Sequence, residues 1–260
     1  MITLSELLKF EIVEDEVDNW FLMTSWVPIT SIVAGYLVFV LYVGPKWMAN
    51  RKPFDIKYIL LVYNLAQTLI NLYYSISTVS TPGSLSYIYN HTCHPIRPRS
   101  LRPLQWKEFM RASYEYFLVK VLDLLDTVFF VLKKKWSHIT FLHVYHHLAM
   151  VITTWAYLKF IKGEQTLFLG AINCFVHVAM YSYYFLSAFG PRVQKYLWWK
   201  NYITMLQIIQ FILVLLQHVG LIVLDCKVDL KISYFIVGNA ILFILLFGNF
   251  YYKTYIKKRK

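Results

Sequence analysis

Charged residues are scarce in this chain, since only 15% of its 260 residues are Asp, Glu, Lys or Arg. A soluble domain carries about a quarter charged residues, so this composition excludes an ordinary soluble protein. Instead, 58% of the residues are hydrophobic and the mean hydropathy is +0.48. Aromatic residues reach 18%, and many stand at the ends of apolar runs, as they do at membrane interfaces. The composition therefore predicts an all-α polytopic membrane protein.

The sequence also shows no cleavable signal peptide and no convincing internal repeat. The first 24 residues are acidic and have no continuous apolar core, so we expect insertion through the first transmembrane helix. The net charge of +12 does not indicate nucleic acid, because the basic residues flank apolar segments and do not form one soluble face. These flanks fit membrane topology, and they also suit a phosphate-bearing substrate.

Apolar runs predict a single membrane domain over residues 1–260, with seven transmembrane helices. Residues 1–22 are expected to be a short lumenal terminus, residues 79–110 a long polar loop, and residues 253–260 a cytosolic tail. The predicted spans are about 24–44, 55–78, 112–133, 139–159, 165–189, 197–223 and 232–252.

Basic residues, a sequon and two cysteines indicate the orientation. With a cytosolic C-terminus, the cytosolic segments carry more Lys and Arg than the opposite side. The sequon at Asn90 then faces the lumen, where glycosylation is possible. Cys93 and Cys226 fall on the same side, where an oxidising compartment permits a disulfide. The tail with Lys257 and Lys258 fits a dilysine signal for retrieval to the endoplasmic reticulum, and equally an ordinary basic flank.

Three histidines open the fourth predicted span. On a helix, His143 shares a face with His146 and His147, because positions three and four apart are neighbours. Ionisable groups inside a membrane are costly and indicate function by default. The alternative is that these histidines only hydrogen-bond to neighbouring helices.

Polar residues lie at a similar depth on three other predicted spans. Because exposure of such groups to lipid is costly, we expect them to converge in one buried polar chamber. On the fifth span the spacing by four, four and three gives one continuous stripe, which inter-helix hydrogen bonds could also explain. The residues are Asp123 and Asp126 on span three, Asn173, His177, Tyr181 and Tyr184 on span five, and Thr204, Gln207 and Gln210 on span six.

Three chemistries are compatible with such a chamber. Histidines can act as bases, nucleophiles or metal ligands, which suits acyl transfer or carbon–carbon bond formation on a lipid chain. A di-iron desaturase or hydroxylase needs more histidines, and His91, His94 and His218 fall on the other side while His138 is in a loop. A receptor or transporter leaves the cluster without a role, and no inverted repeat supports a transporter.

At these motifs the chain resembles the fatty acid elongases, the very-long-chain 3-oxoacyl-CoA synthases of the endoplasmic reticulum. The resemblance covers nearly the whole chain from residue 44. In one further box, Lys120-x-x-Asp123-x-x-Asp126-Thr127, the family usually has Glu at the position of Asp123, so the charge is kept and the reach is shorter. The other matching segments are His143-x-x-His146-His147, Asn173 to Tyr184, Thr204-x-x-Gln207-x-x-Gln210, the loop from Gly44-Pro45 to Pro53-Phe54, and Leu246, Phe247, Phe250 and Tyr251.

The resemblance implies condensation of a long-chain acyl-CoA with malonyl-CoA, without a cofactor or metal. His146 or His177 would take the acyl group or steer its thioester, and His143, His147 and Asp126 would set tautomers and assist decarboxylation. The enolate would be oriented by Lys120, Asn173, Tyr181 and Gln207. CoA would stay near Lys133, Lys134 and Lys135, with the acyl tail in an apolar tunnel. A homodimer is also implied, working with the ketoacyl reductase, dehydratase and enoyl reductase of the cycle in that membrane.

Overall fold

Helices make up almost all of the described chain. The computed structural model describes residues 16–81, 84–95, 103–163 and 165–257, and these contain no β-strand. A 3-10 turn, Glu16–Asn19, precedes the first helix, and π turns at Phe39–Val43, Tyr157–Ile161 and Tyr252–Ile256 extend three helices. The helices are α1 (Trp26–Val38), α2 (Gly44–Met48), α3 (Lys57–Ser80), α4 (Ser84–His91), α5 (Pro103–Leu122), α6 (Leu125–Leu132), α7 (Phe141–Ala156), α8 (Leu167–Ser187), α9 (Pro191–Gln194), α10 (Lys200–Val223) and α11 (Leu230–Tyr251).

Five helical segments are long and apolar enough to cross a membrane, within the part of the chain that the structure describes. They are Trp26–Met48, Lys57–Ser80, Leu167–Ser187, Lys200–Val223 and Leu230–Ile256. These segments confirm the first, second, fifth, sixth and seventh predicted spans, and the chain is a multi-pass membrane protein. Residues 112–133 and 139–159 are mostly helical, but charged residues interrupt the former and α7 has only 16 residues. The count of seven stays a prediction.

The third predicted span is not one continuous helix, contrary to the expectation for residues 112–133. The helical ladder breaks at Asp123 and Leu124, so that α5 ends at Leu122 and α6 begins at Leu125. The Leu124 backbone N–H bonds the carbonyl of Val121, three residues back, instead of the carbonyl four residues back. Such tightening marks a break in the regular ladder.

Two connecting segments also differ from the expectation. The predicted polar loop over residues 79–110 contains α4 and the beginning of α5, because its Leu, Ile and Tyr residues support helical turns. The predicted acidic terminus is structured from Glu16 onward, and Val17 within it and Met23 just after it are fully buried. Residues 1–15 and 258–260, which complete the predicted terminus and tail, lie outside the described residues.

The helices form two compact units. The first contains residues 16–55 and 103–162, with a core that includes Phe117, Val131 and Val151. Its N-terminal segment is fastened by side chains from the end of α7 and the π turn that follows. The Trp155 indole donates to the carbonyl of Leu22, at 3.0 Å. Lys159 lies 3.0 Å from the carboxylate of Asp18.

The second unit contains residues 56–95 and 163–257, where α3 packs along α8 and α10 packs along α11. A disulfide joins Cys93, just after α4, to Cys226 in the turn between α10 and α11. The backbone N–H of Lys227 also donates to the carbonyl of Cys93, at 2.9 Å. The expected pairing of these cysteines is therefore present, and it fixes the end of α4 to the turn between α10 and α11.

Candidate functional site

The histidine cluster lies at the beginning of α7 in the first unit. Thr140 is the N-cap of this helix, and its side-chain oxygen accepts a hydrogen bond from the backbone N–H of His143, at 3.2 Å. Such a cap satisfies one of the free N–H groups at a helix start. The helix therefore begins immediately before the histidines, which fixes the turn on which they lie.

The three histidine rings pack against one another. The centroids of His143 and His147 are 4.4 Å apart, and those of His146 and His147 are 5.6 Å apart. His147 is buried, whereas His143 and His146 are partly buried. The ring of Phe130, from α6, lies 5.2 Å from His143 and limits its rotation. The structure thus brings together the three residues that spacing on a helix predicts to be neighbours.

A chain of two hydrogen bonds connects the cluster to the first transmembrane segment. The Nε2 atom of His143 lies 2.9 Å from Oγ1 of Thr127 on α6. The same hydroxyl lies 2.8 Å from the Tyr36 hydroxyl on α1. Sequence reasoning missed Tyr36, because one tyrosine in a chain with 21 of them carries no distinguishing pattern.

A buried ion pair lies at the break between α5 and α6. Lys120 Nζ and Asp123 Oδ2 are 3.1 Å apart, and the side chains are 2% and 3% exposed. The Lys120 ammonium also lies 4.7 Å from the ring centroid of Tyr116. Asp126, one turn further on, is partly buried. Asp123 therefore has a definite structural task, which is to hold a buried cation.

The predicted CoA-binding lysines follow α6 and contact the loop between α2 and α3. The Lys134 ammonium donates to the carbonyl of Ala49, at 3.0 Å. The backbone N–H of Phe54 donates to the carbonyl of Leu132, at 3.0 Å. Lys133 is partly exposed and Lys135 is exposed beside this contact. The loop and the lysine segment thus form one basic surface in the first unit.

A second polar row follows α8 in the second unit. Asn173, His177 and Tyr181 are all buried, and the rings of His177 and Tyr181 are 5.5 Å apart. Tyr184, the last member of the predicted stripe, is 38% exposed. The stripe therefore turns inward over its first three members and reaches the surface at its C-terminal end.

Helix α3 supplies polar groups near that row. Tyr63 lies 6.0 Å from Tyr181, measured between ring centroids, and its hydroxyl accepts a hydrogen bond from Gln67 at 3.3 Å. Gln67 and Asn71 are 2% and 1% exposed. Sequence reasoning missed Gln67, which lies on the same buried face of α3 as Asn64 and Asn71.

Helix α10 places the third predicted box in the second unit as well. Thr204 and Gln210 are buried, and Gln207 lies 3.6 Å from the sulfur of Met180, with its amide as donor. The histidine cluster belongs to the first unit, whereas the boxes of α8 and α10 belong to the second. A single chamber shared by all of them stays a prediction.

The remaining predicted sites are a glycosylation sequon and a retrieval signal. Asn90 is exposed on α4, where its amide donates to the carbonyl of Ser86. Lys257 is exposed, and Lys258 lies outside the described residues. His218 is fully buried, with Nδ1 lying 3.1 Å from the hydroxyl of Ser233. Across residues 16–81, 84–95, 103–163 and 165–257, no group of three or more His, Cys, Asp and Glu side chains is arranged to hold a metal ion.

These features define a class, namely helical multi-pass membrane proteins with a cluster of histidines buried among their helices. Residues 21–260 match the model of the ELO family, described as the GNS1/SUR4 family. The chain belongs to this family, and the resemblance to the fatty acid elongases is confirmed.

Similar proteins match over most of the chain. Very long chain fatty acid elongase 4 of Homo sapiens is 41% identical, over 96% of this chain and 78% of its own length. The protein of the same name from Mus musculus is 42% identical, over 94% and 77% of the two chains. Very long chain fatty acid elongase 7 of Drosophila melanogaster is 39% identical, over 91% and 71%.

Proposed function

We propose that this protein is the condensing enzyme of fatty acid elongation, a very-long-chain 3-oxoacyl-CoA synthase. Membership in the ELO family and the names of the similar proteins support a role in fatty acid elongation. The observation that carries the proposal is the packed cluster of His143, His146 and His147 in a membrane-embedded unit. A long-chain acyl-CoA and malonyl-CoA would give a 3-oxoacyl-CoA two carbons longer, with CO2 and CoA released.

The reaction proceeds in two bond-forming steps in this proposal. An imidazole nitrogen of His146 or His177 attacks the thioester carbonyl, and CoA leaves as its thiol after taking the proton that the acylated ring gives up; water returns a proton to the ring when it is released at the end. Loss of CO2 from malonyl-CoA then leaves the electron pair of the broken bond as an enolate. The enolate carbon attacks the acyl group, a carbon–carbon bond forms, and the imidazole is released. No cofactor is needed for this balance.

Neighbouring groups would orient the two substrates. His143, His147 and Asp126 are proposed to set tautomers and assist the decarboxylation. Lys120, held by Asp123, would be a fixed positive charge near the developing enolate, and charge fixed in advance lowers the barrier without reorganisation. In the second unit, Asn173, Tyr181 and Gln207 would orient the reacting groups, with Thr204, Gln210 and Tyr184 beside them.

The basic surface beside α6 is proposed to bind the phosphates of CoA. Lys133, Lys134 and Lys135 are the candidates there, because ammonium groups can form charge-assisted hydrogen bonds with phosphate oxygens. We further propose location in the endoplasmic reticulum with a lumenal N-terminus and a cytosolic C-terminus. A homodimer that works with the ketoacyl reductase, dehydratase and enoyl reductase completes the proposal.

The first prediction concerns His146. We expect His146→Ala to reduce condensation at least about 1,000-fold, because covalent catalysis would lose its nucleophile. The measurement is incubation of expressing microsomes with a panel of acyl-CoAs and labelled malonyl-CoA, with product lengths read by chromatography. The panel also shows which acyl chains the enzyme extends.

A matched control is His94→Ala, which removes an exposed histidine from the loop after α4. It should elongate at the wild-type rate and migrate as a folded species in size-exclusion chromatography. Near-normal elongation by folded His146→Ala would remove that residue from catalysis. Wild-type protein that joins no malonyl unit to any acyl-CoA would refute the proposed function itself.

A further inference from the structure

Tyr36, which belongs to none of the motifs, lies at the end of a buried hydrogen-bond chain that reaches two motif residues, Thr127 and His143. Its hydroxyl lies 2.8 Å from Thr127 Oγ1, which in turn lies 2.9 Å from Nε2 of His143. Tyr36 is 6% exposed and Thr127 is 0% exposed, so water has little access to either hydroxyl. The three residues come from α1, α6 and α7, so the chain joins three separate helices of one unit.

Burial decides the direction in which these hydroxyl groups donate. A buried hydroxyl hydrogen needs an acceptor, and Thr127 is the hydrogen-bond partner that the described residues give to Tyr36. Tyr36 therefore donates to Thr127. The hydrogen of Thr127 must then point elsewhere, and the partner within reach is Nε2 of His143. In the reverse direction, the hydroxyl hydrogen of Tyr36 would stay buried without an acceptor, at a cost.

The direction of these hydrogen bonds determines which tautomer of His143 is favoured. An imidazole that accepts at Nε2 carries its hydrogen at Nδ1 when the ring is neutral. Two rings hold the plane of the imidazole, since Phe130 is 5.2 Å from His143 and His147 is 4.4 Å from it. The ring therefore has a fixed orientation and one favoured tautomer, with Nδ1–H as its donor.

We propose that Tyr36 and Thr127 are positioning residues that hold His143 as a neutral hydrogen-bond donor through Nδ1. This inference rests on the proposed function, because it assigns His143 to stabilising the oxygen that becomes negative when malonyl-CoA loses CO2. A donor fixed before the reaction contributes more than one that must first turn or change tautomer. The first transmembrane segment thereby takes part in the chemistry through a side chain outside the histidine motif.

Kinetics of four variants test the inference. Tyr36→Phe and Thr127→Val each remove one hydroxyl and keep the shape, and each should lower kcat about tenfold with little change in KM. The double variant should be no slower than the slower single variant, because both changes interrupt one chain. Thr127→Ser keeps the hydroxyl and should stay near the wild-type rate.

The matched control is Tyr42→Phe on the same continuous helical segment. Tyr42 is 60% exposed, and a phenylalanine ring retains the contact of Tyr42 with the ammonium of Lys46. This control should elongate at the wild-type rate. The inference fails if Tyr36→Phe matches the control, or if the losses of the two single variants multiply in the double variant.

A chemical probe tests the tautomer without any elongation assay. Diethyl pyrocarbonate modifies an imidazole nitrogen that has an available lone pair, and mass spectrometry of the peptide locates the modified ring. Tyr36→Phe and Thr127→Val should raise the rate at His143 several-fold, while exposed His138 reacts at its wild-type rate. Unchanged reactivity at His143 would overturn the inference, even in an active enzyme. Inactive wild-type protein that shows the expected reactivity would instead refute only the proposed function.

Discussion

Lys120 and Asp123 show how much one side chain can depend on another at the residue scale. Their ion pair is nearly inaccessible to solvent, with exposures of 2% and 3%, whereas Arg111 and Glu115 form a pair that is 76% and 35% exposed. Removing one partner of a buried pair leaves a charge in a low-dielectric interior, whereas an exposed pair contributes little. The two pairs lie on or next to the same helix, which makes them a natural comparison.

Asp123→Asn should therefore destabilise the protein by about 3–5 kcal/mol. The cause is the positive charge of Lys120, which would lose its carboxylate while remaining buried. Thermal unfolding of the detergent-solubilised protein measures the change as a lower melting temperature. Asp123→Glu keeps the charge and introduces the residue that the family usually has, so its melting temperature should fall less.

Glu115→Gln is the control for this prediction, because it breaks the exposed pair with Arg111. It should change the free energy of unfolding by less than about 1 kcal/mol. Equal melting temperatures for Asp123→Asn and Glu115→Gln would mean that the buried Lys120–Asp123 pair contributes no more to stability than the exposed Arg111–Glu115 pair.

At the scale of helices, Gly44 sets how closely the end of the first membrane segment approaches α6. A Cβ atom at Gly44 would lie 2.7 Å from the backbone oxygen of Phe39 and 2.7 Å from Cγ1 of Val131. Val131 is fully buried and cannot move without disturbing its neighbours. The absence of a side chain at this position thus permits the contact between α2 and α6.

Gly44→Ala should push these two helices apart and cost about 1–3 kcal/mol of stability, as overpacking does. Gly35→Ala is its counterpart on the same segment, since no atom lies within 4 Å of a Cβ built there. That variant should be neutral or slightly stabilising, because alanine favours the helix over glycine. Melting temperatures distinguish the two, and a loss at Gly35 as large as at Gly44 would contradict the steric explanation.

Helix placement was predictable where hydropathy alone decides it. The five confirmed spans are continuous apolar runs, and no tertiary contact is needed to recognise them. The break at Asp123 and Leu124 was not predictable, because its neighbours have good helical propensity and the local sequence does not show that the i,i+3 pair of Lys120 and Asp123 is buried. Helix α4 was missed because eight residues are too few for helical periodicity to be recognised, and none of them is buried.

Site residues followed the same division. The histidines of α7 and the row on α8 were predictable, because helical spacing alone makes them neighbours. Tyr36 was not, since it acquires its role only from Thr127 on another helix, whereas Gln67 was missed although helical spacing places it beside Tyr63 on α3. Motifs within one helix are visible in a sequence, whereas pairs that join helices require the fold.

At the scale of the whole molecule, the disulfide connects parts of the chain that are 133 residues apart. Closing a long loop restricts the unfolded chain, so such bonds commonly contribute about 2–4 kcal/mol. It also requires that both cysteines mature in an oxidising compartment. The bond therefore contributes to stability, and it supports the proposed lumenal side for both cysteines.

Replacing both Cys93 and Cys226 by Ser should lower the melting temperature, and the wild-type protein should show the same loss after reduction. In intact microsomes, a membrane-impermeant maleimide of high mass should label neither cysteine, even after a reductant is added, and it should label both once detergent and a reductant are present together. The double variant is the control, because a reductant should not change its melting temperature. Labelling of Cys93 without reductant would contradict both the bond and the proposed lumenal side.

The short turn before the first membrane helix has a practical consequence for shortening the protein. Asp18 lies against the ammonium groups of Lys159 and Lys162, and Lys162 is only 2% exposed. Deleting residues 16–23 would therefore leave the ammonium groups of Lys159 and Lys162 without the carboxylate that they share, and it would also expose the indole of Trp155. An affinity tag or fusion partner belongs ahead of Glu16, and trimming past that point should yield protein that is lost to degradation during expression.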